Sequence, residues 1–249
     1  MGYLNEIEIN NLKNRLLSDP DELKKEYNSR RASHDFYSCS YSKANELIEK
    51  ENWLEYKRHK TKIRLWKEKD HDIFFEDQVW CLFYDLGFRT LNIDRNFKLK
   101  YGIENFQKQQ IDVIAINDEM AFIIECKSSI SLKSYSYKSD FESLSLKKDG
   151  FRKSIREIVG DRKIKYVFAT RNQILSKPDT ERLEKENCFH LNDNSFSYMK
   201  ILNSKYKGAS RYQILATFFR GEKINNNSIS VPAIRGKMGG KRYYMFSIE

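Results

Sequence analysis

Two apolar runs split by a short polar break constrain this chain more than any other feature. The first is Gln109-Gln110-Ile111-Asp112-Val113-Ile114-Ala115-Ile116 and the second is Ala121-Phe122-Ile123-Ile124-Glu125-Cys126-Lys127, with Asn117-Asp118-Glu119 between them. Apolar runs flanking a polar turn read as a β-hairpin. Strands buried on both faces should carry Val, Ile or Leu throughout, yet Asp112, Glu125 and Lys127 interrupt these two at matching ends. Burying three charges costs several kcal/mol, on the order of a protein's whole stability margin, unless they pair or hold a metal.

Each charge has a plain explanation on its own. Asp112 could end a strand, and Glu125 with Lys127 could be a surface ion pair worth under about 1 kcal/mol. Taken together the three are better explained as a site. Side chains alternate along a strand, so Glu125 and Lys127 share a face about 6.6–6.8 Å apart, and a tight turn lets Asp112 approach Glu125 while Cys126 points into the core. Two carboxylates brought together take up a proton or a cation. Mg²⁺ suits such a pair because it prefers oxygen ligands and is commonly held by one or two carboxylates plus a substrate phosphate.

Residues 1 to about 70 are polar and charged, contain strong helix formers and read as helices, with a helix start at Ser18-Asp19-Pro20-Asp21-Glu22 and a Ser-rich loop over 29–41. Lys57, Arg58, Lys60, Lys62, Arg64, Lys67 and Lys69 crowd one segment with Tyr56 and Trp66. That segment reads either as a phosphate-contact surface or as a solvated helix face. A helix capped near Asp70 and Asp72 ends at Gly87. Glu76 sits at the border of its apolar stripe, where it either complements the helix dipole or reaches toward the hairpin. Strands follow at 88–92 and 96–101, then a polar bend and the hairpin. Ser128 to Lys148 reads as a loop entering a helix that ends at Gly160. A strand at 165–170, a helix around Asp179 and Leu183, and a strand at 188–191 come next. The order implies an α/β sheet flanked by helices. Helix resumes over 195–220, and a linker at 225–228 precedes a strand, a Gly239-Gly240 turn and a strand.

The 249 residues carry a net charge of +10, which favours an anionic partner such as nucleic acid. The four cysteines lack zinc-ligand spacing, and no apolar run approaches the roughly 20 residues of a membrane span. A cytoplasmic protein with reduced thiols and no membrane contact is expected.

Asp112 followed by Glu125-Cys126-Lys127 after an apolar strand, with Glu76 in a preceding helix that ends in Leu-Gly-Phe, resembles the PD-(D/E)xK nuclease superfamily. The layout is similar to Mrr-like restriction endonucleases and archaeal Holliday-junction resolvases. The resemblance covers residues 70–192, between a basic helical extension at 1–69 and a helical and β-hairpin segment at 193–249 that reads as the start of a further domain. It implies a restriction-endonuclease-like α/β core, a mixed central sheet flanked by helices, and Mg²⁺-dependent hydrolysis of DNA, with Mn²⁺ expected to substitute. It also implies roles: Asp112 and Glu125 as metal ligands with the Cys126 carbonyl as a third, Lys127 as the catalytic lysine, and Glu76 as a helix carboxylate that binds metal or orients water. No Pro precedes Asp112, a departure the superfamily tolerates. Gln110 could contact substrate. Lys57, Arg58, Lys60, Lys62, Lys133 and Lys138 are candidate nucleic-acid contacts.

Cutting both strands would favour a homodimer. The segment from Val231 to Phe246 is similar to the start of a DGQHR-type domain, although the DGQHR sequence is absent. That likeness implies a longer protein with a defence-system partner and a role against foreign DNA. Two rival readings remain at this point: a nucleic-acid-binding or regulatory module with a nuclease-like fold and little activity, and a protein-interaction scaffold.

Overall fold

A computed structural model describes residues 3–104, 106–214, 237–238 and 241–242. The chain divides into two compact units, 1–198 and 199–249. The first unit is built on a six-stranded sheet made of β1 (Leu16–Leu17), β5 (Thr90–Asn92), β8 (Val113–Ile116), β9 (Met120–Tyr135), β10 (Lys163–Leu175) and β11 (Cys188–Leu191), in that spatial order. The pairs β1–β5, β5–β8 and β8–β9 are antiparallel, while β9–β10 and β10–β11 are parallel. Helices cover both faces, giving a mixed α/β architecture of the restriction-endonuclease-like kind.

The alternation of β9 decides what each face receives. On one side Phe122 packs against Phe83 of α4 (His71–Asp85) and against Phe88, with both ring pairs 5.3 Å apart. On the other, Ile123 joins a buried cluster with Phe141, Phe151 and Ile155 of α5 (Lys138–Val159) and with Phe168 of β10. Phe141 and Phe168 lie 5.0 Å apart. α4 ends where the sequence indicates: Gly87 takes a positive φ of 97°, which a Cβ would disfavour, just past the last helical turn. α6 (Lys177–Lys185) starts at its Ser176 cap and leads into β11.

Two readings of the sequence are corrected here. The first concerns residues 1 to 70, which are not all helical. α1 (Glu6–Lys13), α2 (Pro20–Arg30, capped by the Asp19 side chain) and α3 (Tyr41–Glu51) are helices, but β2 (His34–Cys39) replaces the expected Ser-rich loop. The basic segment is a pair of strands, β3 (Leu54–Arg58) and β4 (Ile63–Glu68), rather than a helix tail. Its exposed strand faces carry Lys, Arg and Glu, residues that in isolation favour helix, and packing of Ile63 and Leu65 against Ala44 of α3 overrides that preference.

The second concerns residues 128 to 135, expected as loop. They prolong β9, because β10 runs alongside as far as Leu175 and pairs with Ser128 and with Lys133 to Tyr135, while the Asn172 side chain donates to the Ser129 and Ile130 carbonyls between them. A register shift between Arg171 and Gln173 marks the transition, with Asn172 at φ 53°.

The pair β6 (Lys98–Lys100) and β7 (Lys108–Gln110) forms a separate two-stranded ladder ahead of the hairpin. α7 (Asp193–Ile214) follows β11. Lys237–Met238 (β12) pairs antiparallel with Lys241–Arg242 (β13), while the expected Gly239-Gly240 turn lies outside the described residues. The expected linker and the rest of the stretch from Val231 to Glu249 lie outside the described residues.

Candidate active site

The hairpin turn is held by Asn117, whose Oδ1 accepts from the N–H groups of Glu119 and Met120. From there the register runs Ile116↔Ala121, Ala115↔Phe122, Ile114↔Ile123 and Val113↔Ile124. One step further sets Asp112 opposite Glu125, although Asp112 itself stands just before β8. Instead of a ladder bond, Asp112 Oδ2 accepts from the Cys126 N–H at 2.7 Å. In an extended strand the N–H and C=O of one residue leave on the same side. The Cys126 carbonyl therefore leaves β9 toward Asp112, while the buried Cys126 side chain faces the core.

Glu125 and Lys127 share a face of β9, as alternation requires. Lys127 Nζ lies 2.8 Å from Glu125 Oε1 and 3.6 Å from Asp140 Oδ1. Asp140, in the first turn of α5, is a site neighbour that the sequence reading missed. A carboxylate in the first turn of the helix that follows the motif strand is the signal that could have found it. Burial alone would pull the Lys127 ammonium down, but Glu125, then Asp140 and Asp112, outweigh it and hold the group above its ordinary value.

Glu76 comes from α4, on the other side of β9, and is mostly buried. Its Oε2 lies 3.5 Å from Arg95 Nε, yet neither atom makes a hydrogen bond among the described residues. Arg95 is anchored instead by its Nη2 donating to Asp77 Oδ1 at 2.9 Å. Asp77 is buried and also accepts from Arg30 Nη1 at 3.2 Å and Lys69 Nζ at 2.7 Å. The sequence reading missed this network, since its members lie on α2, the end of β4, α4 and the loop after β5. Only the fold brings them together.

Glu76, Asp112 and Glu125 act on one another electrostatically. Burial is the main reason that the Asp112 carboxyl sits well above the usual carboxylate range; Glu125 and Glu76 raise it further, against the Cys126 N–H and Lys127. Glu76 is pushed up to about 7, first by burial, with Arg95 opposing and Asp72, Asp77 and Glu125 adding to it. Carboxylates in this condition are relieved by protons or by a cation. Their hard oxygens, the Cys126 carbonyl on the Asp112 side and the buried Glu76 oxygen without a hydrogen bond suit Mg²⁺ or Mn²⁺. Among the described residues no three His, Cys, Asp or Glu side chains form a ready-made metal cluster. The two hairpin carboxylates and the Cys126 carbonyl are the groups that could hold a cation, with Glu76 coupled electrostatically to Asp112 and Glu125.

Beside Glu125 opens a cavity of about 200 Å³ lined by Gln109, Ile111, Asp140, Phe141 and Tyr166 among others. Gln109, rather than Gln110, lines it, and Lys147 Nζ donates to its Oε1 at 2.8 Å. Gln110 is exposed and pairs with Lys98 in the β6–β7 ladder. Lys133 lies on the prolonged arm of β9 opposite Gln173, and Lys138 opens α5 with its Nζ 3.9 Å from Glu142. Lys57 and Arg58 are exposed on β3, and Lys60 and Lys62 lie between β3 and β4.

No family model and no curated protein matches the chain. Similar solved structures include protein VC1899 from Vibrio cholerae, 12% identical with a TM-score of 0.36, where the match covers 84% of this chain and 56% of the other. Can2 from Sulfobacillus thermosulfidooxidans, solved in complex with cyclic tetra-adenylate, is 13% identical with a TM-score of 0.33 over 81% of this chain and 56% of its own. The chain spans little more than half the length of either. Likenesses of this size bear on neither chemistry nor ligand. No helix among the described residues is long and apolar enough to cross a membrane.

Proposed function

We propose that this chain is a metal-dependent endonuclease that hydrolyses phosphodiester bonds in DNA. The observation that carries the reading is the meeting of Asp112, Glu125 and Lys127 at one end of the β8–β9 hairpin, with Asp112 one step beyond the Val113↔Ile124 pair, bonded to the Cys126 N–H, and Lys127 paired with Glu125.

Asp112 and Glu125, with the Cys126 carbonyl, would hold Mg²⁺ or Mn²⁺. Such an ion supplies charge neutralisation at a bound phosphate and an activated water. The chain's own part follows from its geometry. Asp112 is fixed by the Cys126 N–H, so its position does not depend on an exposed rotamer. Lys127 is retained as a cation, which suits it to hydrogen-bond a phosphate oxygen and to offset charge developing there, and makes it a poor proton acceptor. Glu76, with a proton affinity near neutrality, is the carboxyl placed to orient or accept a proton from water on the α4 side. The net charge of +10 favours approach of a polyanion.

A homodimer suits a cut through both strands, and a cytoplasmic setting suits four buried free cysteines. A part in defence against foreign DNA is supported only by the C-terminal resemblance to a DGQHR-type domain.

The test is cleavage of supercoiled plasmid with Mg²⁺, with Mn²⁺ and with EDTA. Nicked or linear product is expected with either metal and none with EDTA. Asp112→Asn and Lys127→Met should each slow cleavage by about 100-fold or more. Salt-sensitive DNA binding without any cleavage would favour the binding-module reading, and activity that survives Asp112→Asn would remove the site assignment.

A further inference from the structure

Far along the chain from the hairpin, the first unit holds a second sheet whose outer face is built from aromatic rings and cations. Its strands lie in the order β2-β4-β3, all antiparallel. The inner face buries Cys39, Ile63 and Leu65 against Ala44 of α3, with Leu47, Ile48 and Trp53 packed at the edge. Alternation sends the intervening residues outward. The register aligns Phe36 with Trp66 and Trp66 with Leu54, a row across all three strands. The ladder slips between Glu55 and Lys57, a bulge that leaves Tyr56 as the extra residue. Tyr56 stands edge-on to Phe36 with the ring centroids 5.1 Å apart.

These rings are open to solvent, with Phe36 43% and Tyr56 57% exposed. The Arg64 guanidinium lies 4.5 Å from the Phe36 ring centre and 5.5 Å from that of Tyr56, and His34 packs at 4.5 Å against Trp66. Across residues 54–69 there are seven Lys or Arg against two Glu. Lys57, Arg58, Lys60 and Lys62 gather at the turn end of the row, whereas Lys69 is buried and paired with Asp77.

Exposed rings beside a stacked guanidinium and a line of cations match one ligand chemistry: flat aromatic bases joined by phosphates. A duplex keeps its base faces stacked inside and could use only the cations. An apolar protein surface would gain little from the exposed Lys57, Lys60, Lys62 and Arg64. We infer that the outer face of the β2-β4-β3 sheet is a stacking platform for single-stranded DNA, with bases on Phe36, Tyr56 and Trp66 and phosphates along Lys57, Lys60 and Lys62. The choice of DNA rests on the nuclease reading above; the stacking surface does not.

The experiment is fluorescence anisotropy of a labelled dodecathymidylate against the full chain in EDTA, where no cleavage occurs, with a duplex and an oligoribonucleotide of the same length as comparison arms. Phe36→Ala with Tyr56→Ala should weaken single-strand binding at least tenfold, a loss of one to two stacked bases, and leave duplex binding within about twofold. Phe36→Leu with Tyr56→Leu, which keeps apolar bulk but cannot stack, should do the same and covers the case in which the alanine pair unfolds. Lys60→Glu with Lys62→Glu should weaken both and flatten the salt dependence. Single-strand binding unchanged by both aromatic pairs, an equal loss for duplex, or tighter binding of the oligoribonucleotide than of DNA would overturn the inference. Wild type that binds the oligonucleotide in EDTA but cleaves no plasmid with Mg²⁺ or Mn²⁺ would count against the nuclease reading and leave the stacking surface standing.

Discussion

Asn92 reaches across from β5 and fixes Asp112 by its backbone: Asn92 Nδ2 donates to the Asp112 carbonyl at 3.0 Å, while Asn92 Oδ1 accepts from the Ile114 N–H at 3.0 Å. The same amide donates to the Asp94 carbonyl. A buried amide with every group engaged holds the turn into β8 where no ladder bond does. Asn92→Ala strands a buried carbonyl and a buried N–H together. The expected loss is about 1–3 kcal/mol of stability in urea denaturation, with a drop in cleavage rate that persists below the unfolding transition.

Asp77 neutralises two cations that water does not reach, with Arg30 and Lys69 side chains 6% and 2% exposed. Removing one partner of a buried pair leaves uncompensated charge. Asp77→Ala is therefore expected to cost about 3–5 kcal/mol, read as a fall in denaturation midpoint. Arg95 loses its anchor in the same variant, so Glu76 loses the cation beside it as well.

Glu76 gives a pH signature in metal-free solution. Its carboxyl titrates near about 7 in the folded chain, against roughly 4.3 in an unfolded one. The folded state holds more protons across that window, so this group's contribution is full below the unfolded value and is lost as pH rises through 7. Thermal unfolding in EDTA should show Glu76→Gln gaining on the wild type between pH 5 and pH 8. Added Mn²⁺ should close that gap, because a cation relieves the ionised carboxylates of the wild type. A difference independent of pH would contradict the assigned titration.

Gly150 lies where α5 crosses the chain after β6. A Cβ there would collide with the Tyr101 backbone carbonyl, so the helix must shift. Gly150→Ala should destabilise by about 1–3 kcal/mol, as overpacking does, although alanine ordinarily favours a helix. Since α5 carries Asp140 beside Lys127, residual folded protein should also cleave more slowly.

The central sheet was legible apart from β1 (Leu16–Leu17), which lies in the stretch read as helical, because its other strands are apolar and bounded by turn residues, and the hairpin because charges interrupt it. Asp112, Glu125 and Lys127 declare themselves by costing energy where they stand. The β2-β4-β3 sheet was hidden for the opposite reason: most of β2 and all of β3 face solvent, and its Lys, Arg and Glu read as helix until Ile63 and Leu65 find α3. The arm of β9 was hidden because its apolar residues, Ile130 and Leu132, are exposed among Ser and Lys, and Lys133 to Tyr135 depend on β10 for pairing. Arg95 and Asp77, eighteen residues apart, meet only through tertiary structure. Glu76 stood out by its place on the helix stripe, but its burial and its coupling to Asp112 needed the fold.

The most direct measurement of the central claim is anomalous diffraction from crystals soaked in Mn²⁺, comparing the wild type with Asp112→Asn. A peak between Asp112 and Glu125 on the side of the Cys126 carbonyl is expected in the wild type, with loss of that peak in the variant. Manganese bound elsewhere with this position empty, or a peak that persists in Asp112→Asn, would contradict the site.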